Sequence, residues 1–422
     1  MSKRNKDFFK VKKDWSRVKD TLLATYLPVY FSKVIHTGKP IAYIDCFAGK
    51  GKFDNGEDGS PRIALRERKI AIERSRYDAA RIDMYFIDPV YADDLRANVS
   101  DFDSSDEHGS IHVVKSTYEK AVPEILSELG DVNVFLYIDP FGIKYLGNRI
   151  IADACKNFKG NVEVLLNLNS FGFIREACRI TGTSYRGENI DLEEQEEEAI
   201  GKSADAEHIL TAIAGGDYWK RIMEEYRTDD APTPQPSLNA EKAFSSGYRQ
   251  NLSTAGGGSF RYVLDIPIRI KTGGQAKYRM VYATNHPDGC IKMADNMMHR
   301  ADELYTEVQS AGQMSLFNVD TNQDITVPES FLVPRILDVM GHIAGCPKTH
   351  PLGVHLHSLI ADFFCEHGIV CTSQSIIGAL KKMENTGMIE VLRHPPRTER
   401  GAPSKFWSED KGKSVIIREK EA

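Results

Sequence analysis

The sequence has no C-x-x-C pair: its seven cysteines, at positions 46, 155, 178, 290, 346, 365 and 371, are scattered. An odd count without paired spacing argues against a disulfide framework and against a structural zinc site. The cysteines are therefore read as reduced and mostly buried. Long hydrophobic runs are missing too. The longest, such as Val134–Ile138 and Val162–Leu166 (broken by Glu163), are strand-sized, far from the ~20 residues of a membrane span. The basic N-terminus, beginning Met1-Ser-Lys-Arg-Asn-Lys, has no apolar stretch behind it, which speaks against a secretory signal. A cytoplasmic location with no membrane partner is expected.

Charge of either sign is not in large excess. The net charge is −6, with 41% hydrophobic and 27% charged residues, as in ordinary globular proteins. A chain of 422 residues exceeds what one core usually supports, so two domains are expected. The charge is unevenly placed. Asp191-Leu-Glu-Glu-Gln-Glu-Glu-Glu is an acidic block, read as solvated, and the N-terminal arm carries Lys3, Arg4, Lys6, Lys10, Lys12 and Lys13.

From Trp15, the positions Val18, Leu22, Leu23, Tyr26, Leu27 and Tyr30 recur at helical spacing. Short apolar strands follow at 41–46, 82–87, 111–114, 133–138 and 162–168, with helical segments between them. Such alternation predicts a parallel sheet covered on both faces. Two later strands, 260–269 and 278–284, flank a loop containing Gly273-Gly274 and predict an antiparallel hairpin. Five strands with crossovers and a closing hairpin predict an α/β, Rossmann-like, seven-stranded methyltransferase sheet over residues 1–309. An insertion at 170–259 contains a Pro-rich stretch and Ala255-Gly-Gly-Gly. Connections of this length are usually functional or partly disordered. A polar linker spans 310–327.

Residues 328–422 read as three helices, the third capped by Thr372 and ended at Gly387. Two short strands at 388–392 and 404–408 follow. This is the order of a winged helix-turn-helix. Lys381, Lys382, Arg393, Arg397, Arg400 and Lys405 exceed the local acids and are the candidate DNA contacts; such domains also serve as protein-docking modules.

The chemistry is expected at the ends of the strands. Asp45-Cys46-Phe47-Ala48-Gly49-Lys50-Gly51 follows a strand and precedes a helix, as a glycine-rich cofactor loop requires. Glycine at 49 and 51 lets backbone approach a ligand, and Phe47 and Ala48, just before them, join the candidate cofactor loop. Asp45 suits the amino group of a methionine moiety. The form is nearer to motif I of nucleic-acid methyltransferases than to the NAD fingerprint, so S-adenosylmethionine is the expected cofactor. Lys50 and Lys52 suit a phosphate or the cofactor carboxylate. Asp88, after the second strand, suits two ribose hydroxyls or is an ordinary loop aspartate. Ser116 suits the adenine or is merely a polar loop residue. Asp139-Pro140-Phe141-Gly142 resembles the D/N-P-P-Y/F motif of amino-methyltransferases. Asp139 would accept a hydrogen bond from the attacking amine, and Phe141 would stack on an extruded base. Phe in place of the second proline departs from that motif, and a plain Asp-Pro turn is the alternative. Asn167 and Asn169 end the fifth strand. Open parallel sheets bind ligands at this edge.

Together, the lead helix Trp15-Ser-Arg-Val-Lys-Asp-Thr-Leu-Leu-Ala-Thr-Tyr-Leu, the Ile44-Asp-Cys-Phe-Ala-Gly-Lys-Gly loop, Tyr137-Ile-Asp-Pro-Phe-Gly and Tyr282-Ala-Thr-Asn-His-Pro resemble the three-Cys-motif partner family (TcmP) over residues 14–308. The resemblance implies a bacterial or phage methyltransferase-like domain. It also implies a separately encoded companion with a three-cysteine motif of the radical S-adenosylmethionine type. It brings Asn285, His286 and Pro287 forward without assigning them a role. Three functions are open: a DNA base-amine methyltransferase, a non-catalytic adaptor docking that companion onto DNA, and a metal-dependent nuclease using Asp45, Asp88 and Asp139, which lack a ligand-spacing signature.

Overall fold

In the computed structural model, residues 9–10, 12, 14–76, 80–102, 105–140, 142–144, 146–156, 158–185, 205–227, 235–269, 276–310, 327–344, 353–410 and 412–420 are described. They form two compact units, 1–285 and 286–422. Phe141, the acidic block, the hairpin loop 270–275 and Cys346 lie outside the described residues. Of the other cysteines, 46, 155, 178, 290 and 371 are buried and 365 is half-buried, all as free thiols. No described helix is long and apolar enough to cross a membrane.

The first unit opens with α1 (Asp14–Ile35), then β1 (Ile41–Asp45), α2 (Ser60–Arg74), β2 (Ile82–Ile87), α3 (Ala92–Asn98) and β3 (Gly109–Val114). It continues through α4 (Tyr118–Glu128), β4 (Asn133–Ile138), α5 (Asn148–Lys156) and β5 (Asn161–Leu168). Four helices then occupy the described parts of the expected insertion: α6 (Ser170–Thr181), α7 (Ala206–Ala214), α8 (Tyr218–Glu225) and α9 (Gln235–Leu252). The antiparallel pair β6 (Tyr262–Arg269) and β7 (Ala276–Thr284) closes the sheet. The strands run in the order 3-2-1-4-5-7-6, with β7 antiparallel to β5 and the first five parallel. A two-residue strand, Ser105–Asp106, pairs antiparallel with the outer side of β3. Pro267 sits in β6, the opposite border.

The central strands β1 and β4 are buried along their whole length, as strands covered on both faces must be. The two faces differ in chemistry. Ala42, Ile44, Val134, Leu136, Val164 and Leu166 face a hydrophobic core shared with aliphatic and aromatic residues of α4 to α9. At the alternate positions Phe135 and Tyr282 meet Tyr26 and Tyr30 of α1, with ring centroids 5.1–5.8 Å apart, and Tyr43 stacks on Phe135 at 6.0 Å. Beneath them Glu163 accepts hydrogen bonds from Tyr26 Oη (2.8 Å) and Tyr282 Oη (2.6 Å), and burial raises its pKa despite these donors.

A second buried polar network fastens β6 and β7 to α9. Arg279 Nη2 donates to Glu241 Oε2 at 2.9 Å, and Arg279 Nη1 donates to Asp265 Oδ2 at 2.6 Å. Ser245 Oγ donates to the same Asp265 oxygen at 3.0 Å. Arg249 and Arg279 hold the Asp265 carboxyl below its usual range against the opposing effect of burial.

The second unit contains α10 (Pro287–Ser310), α11 (Glu329–Ala344), β8 (Val354–His355), α12 (Leu356–His367), α13 (Ser373–Asn385), β9 (Ile389–His394) and β10 (Ser414–Glu419). Its antiparallel sheet runs β9-β10-β8. Three expectations are corrected here. The boundary falls at residue 285 rather than 309, because α10 packs within this unit: Asp288 meets His357 Nδ1 and Cys290 is seated against Ala361. Thr372 occupies the N-cap position of α13 without capping it. Asp295 does so instead, accepting from Ser373 N and Oγ at 2.7 Å each. The strand returning to β9 is 414–419, not 404–408, since Val415 and Ile417 supply the buried alternation. Ser404 is instead tied into the preceding loop through its hydroxyl to Pro395 O at 2.6 Å.

Replacing Arg279 by Leu would leave Glu241 and Asp265 without their shared cation in a buried setting. The expected cost is about 3–5 kcal/mol, read by urea denaturation; a loss under about 1 kcal/mol would contradict the role given to this network.

Candidate functional site at the strand ends

The glycine loop lies where the sequence places it, between β1 and α2. Gly49 and Gly51 have φ of +59° and +75°, a region that side-chain-bearing residues adopt only with strain. Both are also close-packed. A Cβ on Gly51 would lie 2.7 Å from Leu95, and one on Gly49 would lie 3.1 Å from the Phe9 ring. The N-terminal arm therefore covers this loop. Phe9 is 5% exposed, its ring lies 5.0 Å from that of Tyr91, and Lys50 Nζ sits 5.0 Å above it. Phe47 packs on Tyr118 at 5.0 Å, and Ala48 N bonds to Ile87 O at 3.0 Å.

Asp45, at the end of β1, is fully buried. It accepts from Phe47 N (3.2 Å) and from Ser60 Oγ of α2 (2.7 Å). Burial pushes its pKa up to about 7 against those donors. Asp88, after β2, is committed to backbone. Its Oδ2 accepts from Gly49 N at 3.0 Å, and its Oδ1 accepts from Val90 N and Tyr91 N at 2.7 and 2.6 Å. These three bonds occupy most of the about four acceptor positions of a carboxylate and join the glycine loop to the start of α3. Ser116, half-buried, follows β3 in the loop before α4, its N bonded to Val114 O at 3.1 Å.

Asp139, after β4, lies on the α1 side. Lys19 Nζ reaches both carboxylate oxygens at 2.8 Å, and Asn167 Nδ2 donates to Oδ1 at 2.7 Å. Pro140 is half-buried beside it. Asn169 caps α6, accepting from Gly172 N at 2.8 Å. The predicted residues Asp45, Gly49, Asp88, Ser116, Asp139 and Asn167 all follow or end parallel strands at their C-terminal edge. Asp45, Asp88 and Asp139 do not gather as a metal cluster. Among the described residues the only group of three or more potential ligands within 4.8 Å is Asp338, Glu366 and His367, in the second unit.

Three buried polar atoms around this edge have no hydrogen-bond partner: Asn167 Oδ1, Tyr43 Oη and Tyr118 Oη. Their residues are 3%, 0% and 2% exposed. A buried orphan acceptor is costly, and that of Asn167, beside Asp139, fits a donor group brought by a ligand. The glycine cradle, the Asp45 carboxyl and the Phe47–Tyr118 pair are likewise compatible with an adenosyl group.

Sequence reasoning missed the partnerships of Lys12, just before α1, and of Lys19 and Asp20 within it. Lys12 pairs with Asp20 and also donates to Asp58 O at 2.8 Å. Burial raises the Asp20 carboxyl to about 6, with Lys12 opposing. A signal was present for Lys19. Ser16, Lys19, Leu23, Tyr26 and Tyr30 fall on one stripe of α1, and a lysine on the stripe that turns inward needs a buried acid opposite it.

In the second unit Arg393 is not available to a ligand. It forks onto Glu384 at 2.7 and 2.8 Å and donates to Phe406 O at 3.0 Å, with its side chain 9% exposed. Lys382 pairs with Glu329 while remaining exposed. Lys381, Arg397, Arg400 and Lys405 are exposed, three of them on the loop joining β9 to β10.

No protein-family model matches the chain, and no curated protein does.

The Asp45 carboxyl ionises near 3.9 when unfolded and near 7 when buried. Its contribution to stability is therefore fully present below about pH 4 and is lost as pH rises through about 7. Asp45→Asn should gain stability relative to the parent between pH 4 and pH 8, by about 1.4 kcal/mol for each unit separating the two pKa values. Parallel urea titrations at the two pH values measure this; an equal difference at both would refute the shift.

Proposed function

We propose that the first unit is an S-adenosylmethionine-dependent methyltransferase acting on nucleic acid, on a base amine of DNA, and that the second unit is a winged helix-turn-helix that places it. The single observation carrying this reading is the convergence of the glycine loop, Asp45, Asp88 and Asp139 with Asn167 on the C-terminal edge of one sheet. The strand order 3-2-1-4-5-7-6 with a reversed β7 supports it, being the order of the class I methyltransferase sheet. The resemblance to three-Cys-motif partner proteins adds to it.

On this reading Asp45, the Phe47–Gly51 backbone and Ser116 hold the cofactor, and Asp88 acts through the loop it braces. When bound, the cofactor supplies a methyl group on a cationic sulfur. Asp139 accepts a hydrogen bond from the incoming amine, raising electron density on its nitrogen, and Asn167 Oδ1 offers a second acceptor to the same donor. Pro140 turns the chain there, and Phe141 would stack on the base. In the second unit, Arg397, Arg400 and Lys405 offer phosphate contacts from an exposed loop.

A second reading, an adaptor that docks a radical S-adenosylmethionine-type companion onto DNA, is favoured by one specific observation. Phe9 lies over the glycine loop while Lys19 occupies Asp139, so both halves of the edge are covered.

Isothermal titration with S-adenosylhomocysteine tests the leading reading; absence of heat with it and with the cofactor itself overturns it. Asp139→Ala separates the two readings, abolishing methyl transfer to DNA in the first and leaving companion binding intact in the second. Joint replacement of Arg397, Arg400 and Lys405 by alanine should weaken DNA binding and flatten its salt dependence by about 0.9 in log–log slope for each phosphate contact removed. An unchanged slope would remove the loop from the interface.

A further inference from the structure

We infer that the ammonium group of Lys19 is an internal occupant of the amine position, and that a substrate nitrogen enters only when the first turns of α1 withdraw it. The inference rests on the amine-acceptor reading of Asp139 and adds a control to that same site.

The surroundings of Lys19 Nζ are those a bound amine would need. Both oxygens of Asp139 accept from it at 2.8 Å, and the Tyr278 ring of β7 lies 5.2 Å from it, within cation–π range. Its side chain is only 10% exposed. Asn167 donates to the same carboxylate and is left with an orphan acceptor. A lysine offers three N–H donors, yet none reaches that oxygen. The position is filled but one acceptor goes unmet, as expected of a stand-in rather than of the group the site was shaped for.

The contact is part of a continuous strap. Phe9 lies on Gly49, its carbonyl accepts from Asp54 N at 2.7 Å, and Lys12 is held by Asp20 and Asp58 O. One segment of chain thus covers both the glycine loop and Asp139. Displacing Lys19 exchanges an ion pair for a hydrogen bond from a neutral amine at the same oxygens. Asp139 keeps the Asn167 donor and is 22% exposed, so its charge is still met by a hydrogen bond and by solvent once the cation has left.

The test is lysine acetylation of the full-length protein by an activated ester, followed by peptide mass spectrometry. Lys19 should react at least several-fold more slowly than exposed Lys33 in the protein alone, as expected if its amine is shielded against Asp139. It should become reactive in Asp139→Asn, and also on adding S-adenosylhomocysteine with a DNA duplex. Lys19→Met should raise methyl transfer to DNA several-fold with unchanged S-adenosylhomocysteine binding. Lys19 reacting as fast as Lys33 overturns the inference. So does continued shielding in Asp139→Asn, or loss of transfer in Lys19→Met that Lys19→Arg restores. If the parent neither binds S-adenosylhomocysteine nor transfers a methyl group, the methyltransferase reading falls by itself. The labelling of Lys19 in the parent and in Asp139→Asn still decides who holds the ammonium.

Discussion

Acidic side chains buried at the end of a parallel sheet must be neutralised, and the first unit is arranged around that constraint. Asp45 and Asp139 end their strands beneath α1, and Asp20 comes from that helix. Asp139 and Asp20 are each close enough to disfavour a charge on Asp45, in a setting with little water to stabilise it. The chain answers in two ways. Lys19 brings positive charge from the helix and Lys12 from the arm before it, and burial raises Asp45 and Asp20 towards the neutral form. Removing α1 would expose the aromatic side of β1 and β4 and strip Asp139 of its cation. The lead helix is therefore integral to the sheet's polar edge.

The two faces of that sheet divide the work. The face under α4 to α9 presents small and branched strand side chains to the aromatic and aliphatic residues of those helices, Phe173, Trp219, Phe244 and Tyr248 among them. The face under α1 carries tyrosines, a buried glutamate and the acids of the candidate site. Alternation along each strand sets this division: Ala42 and Ile44 face one way, Tyr43 and Asp45 the other. β1 and β4 thus deliver Asp45 and Asp139 to the side where the Ser60 hydroxyl and the Lys19 ammonium are available to receive them.

Much of this was legible in the sequence. The five parallel strands fell within a residue or so of their positions, because short buried runs between helical segments leave little choice. The glycine loop was legible because only glycine accepts the φ found at 49 and 51. Partnerships across long sequence distance were not. Lys19 meets Asp139 120 residues away, and Asp295 caps α13 from 78 residues upstream. In the second case the nearby Thr372 was the better local candidate, and tertiary packing overrode it. Arg393 counted as surface charge until Glu384, nine positions earlier, came to face it. The sequence also underestimated 170–259, whose described parts are helices packed on the core. Its Pro- and Gly-rich stretches drew attention away from the apolar positions between them.

The borders of the sheet carry a consequence of their own. On one side Ser105–Asp106 already occupies the flank of β3. On the other, β6 includes Pro267, which has no amide hydrogen to offer a neighbouring strand. An approaching chain thus finds one flank taken and the other interrupted, so adding itself as a further strand is a poor way to associate with this unit. Whatever protein joins it must grip helices and connecting segments, and its selectivity will come from side chains rather than from main-chain pairing.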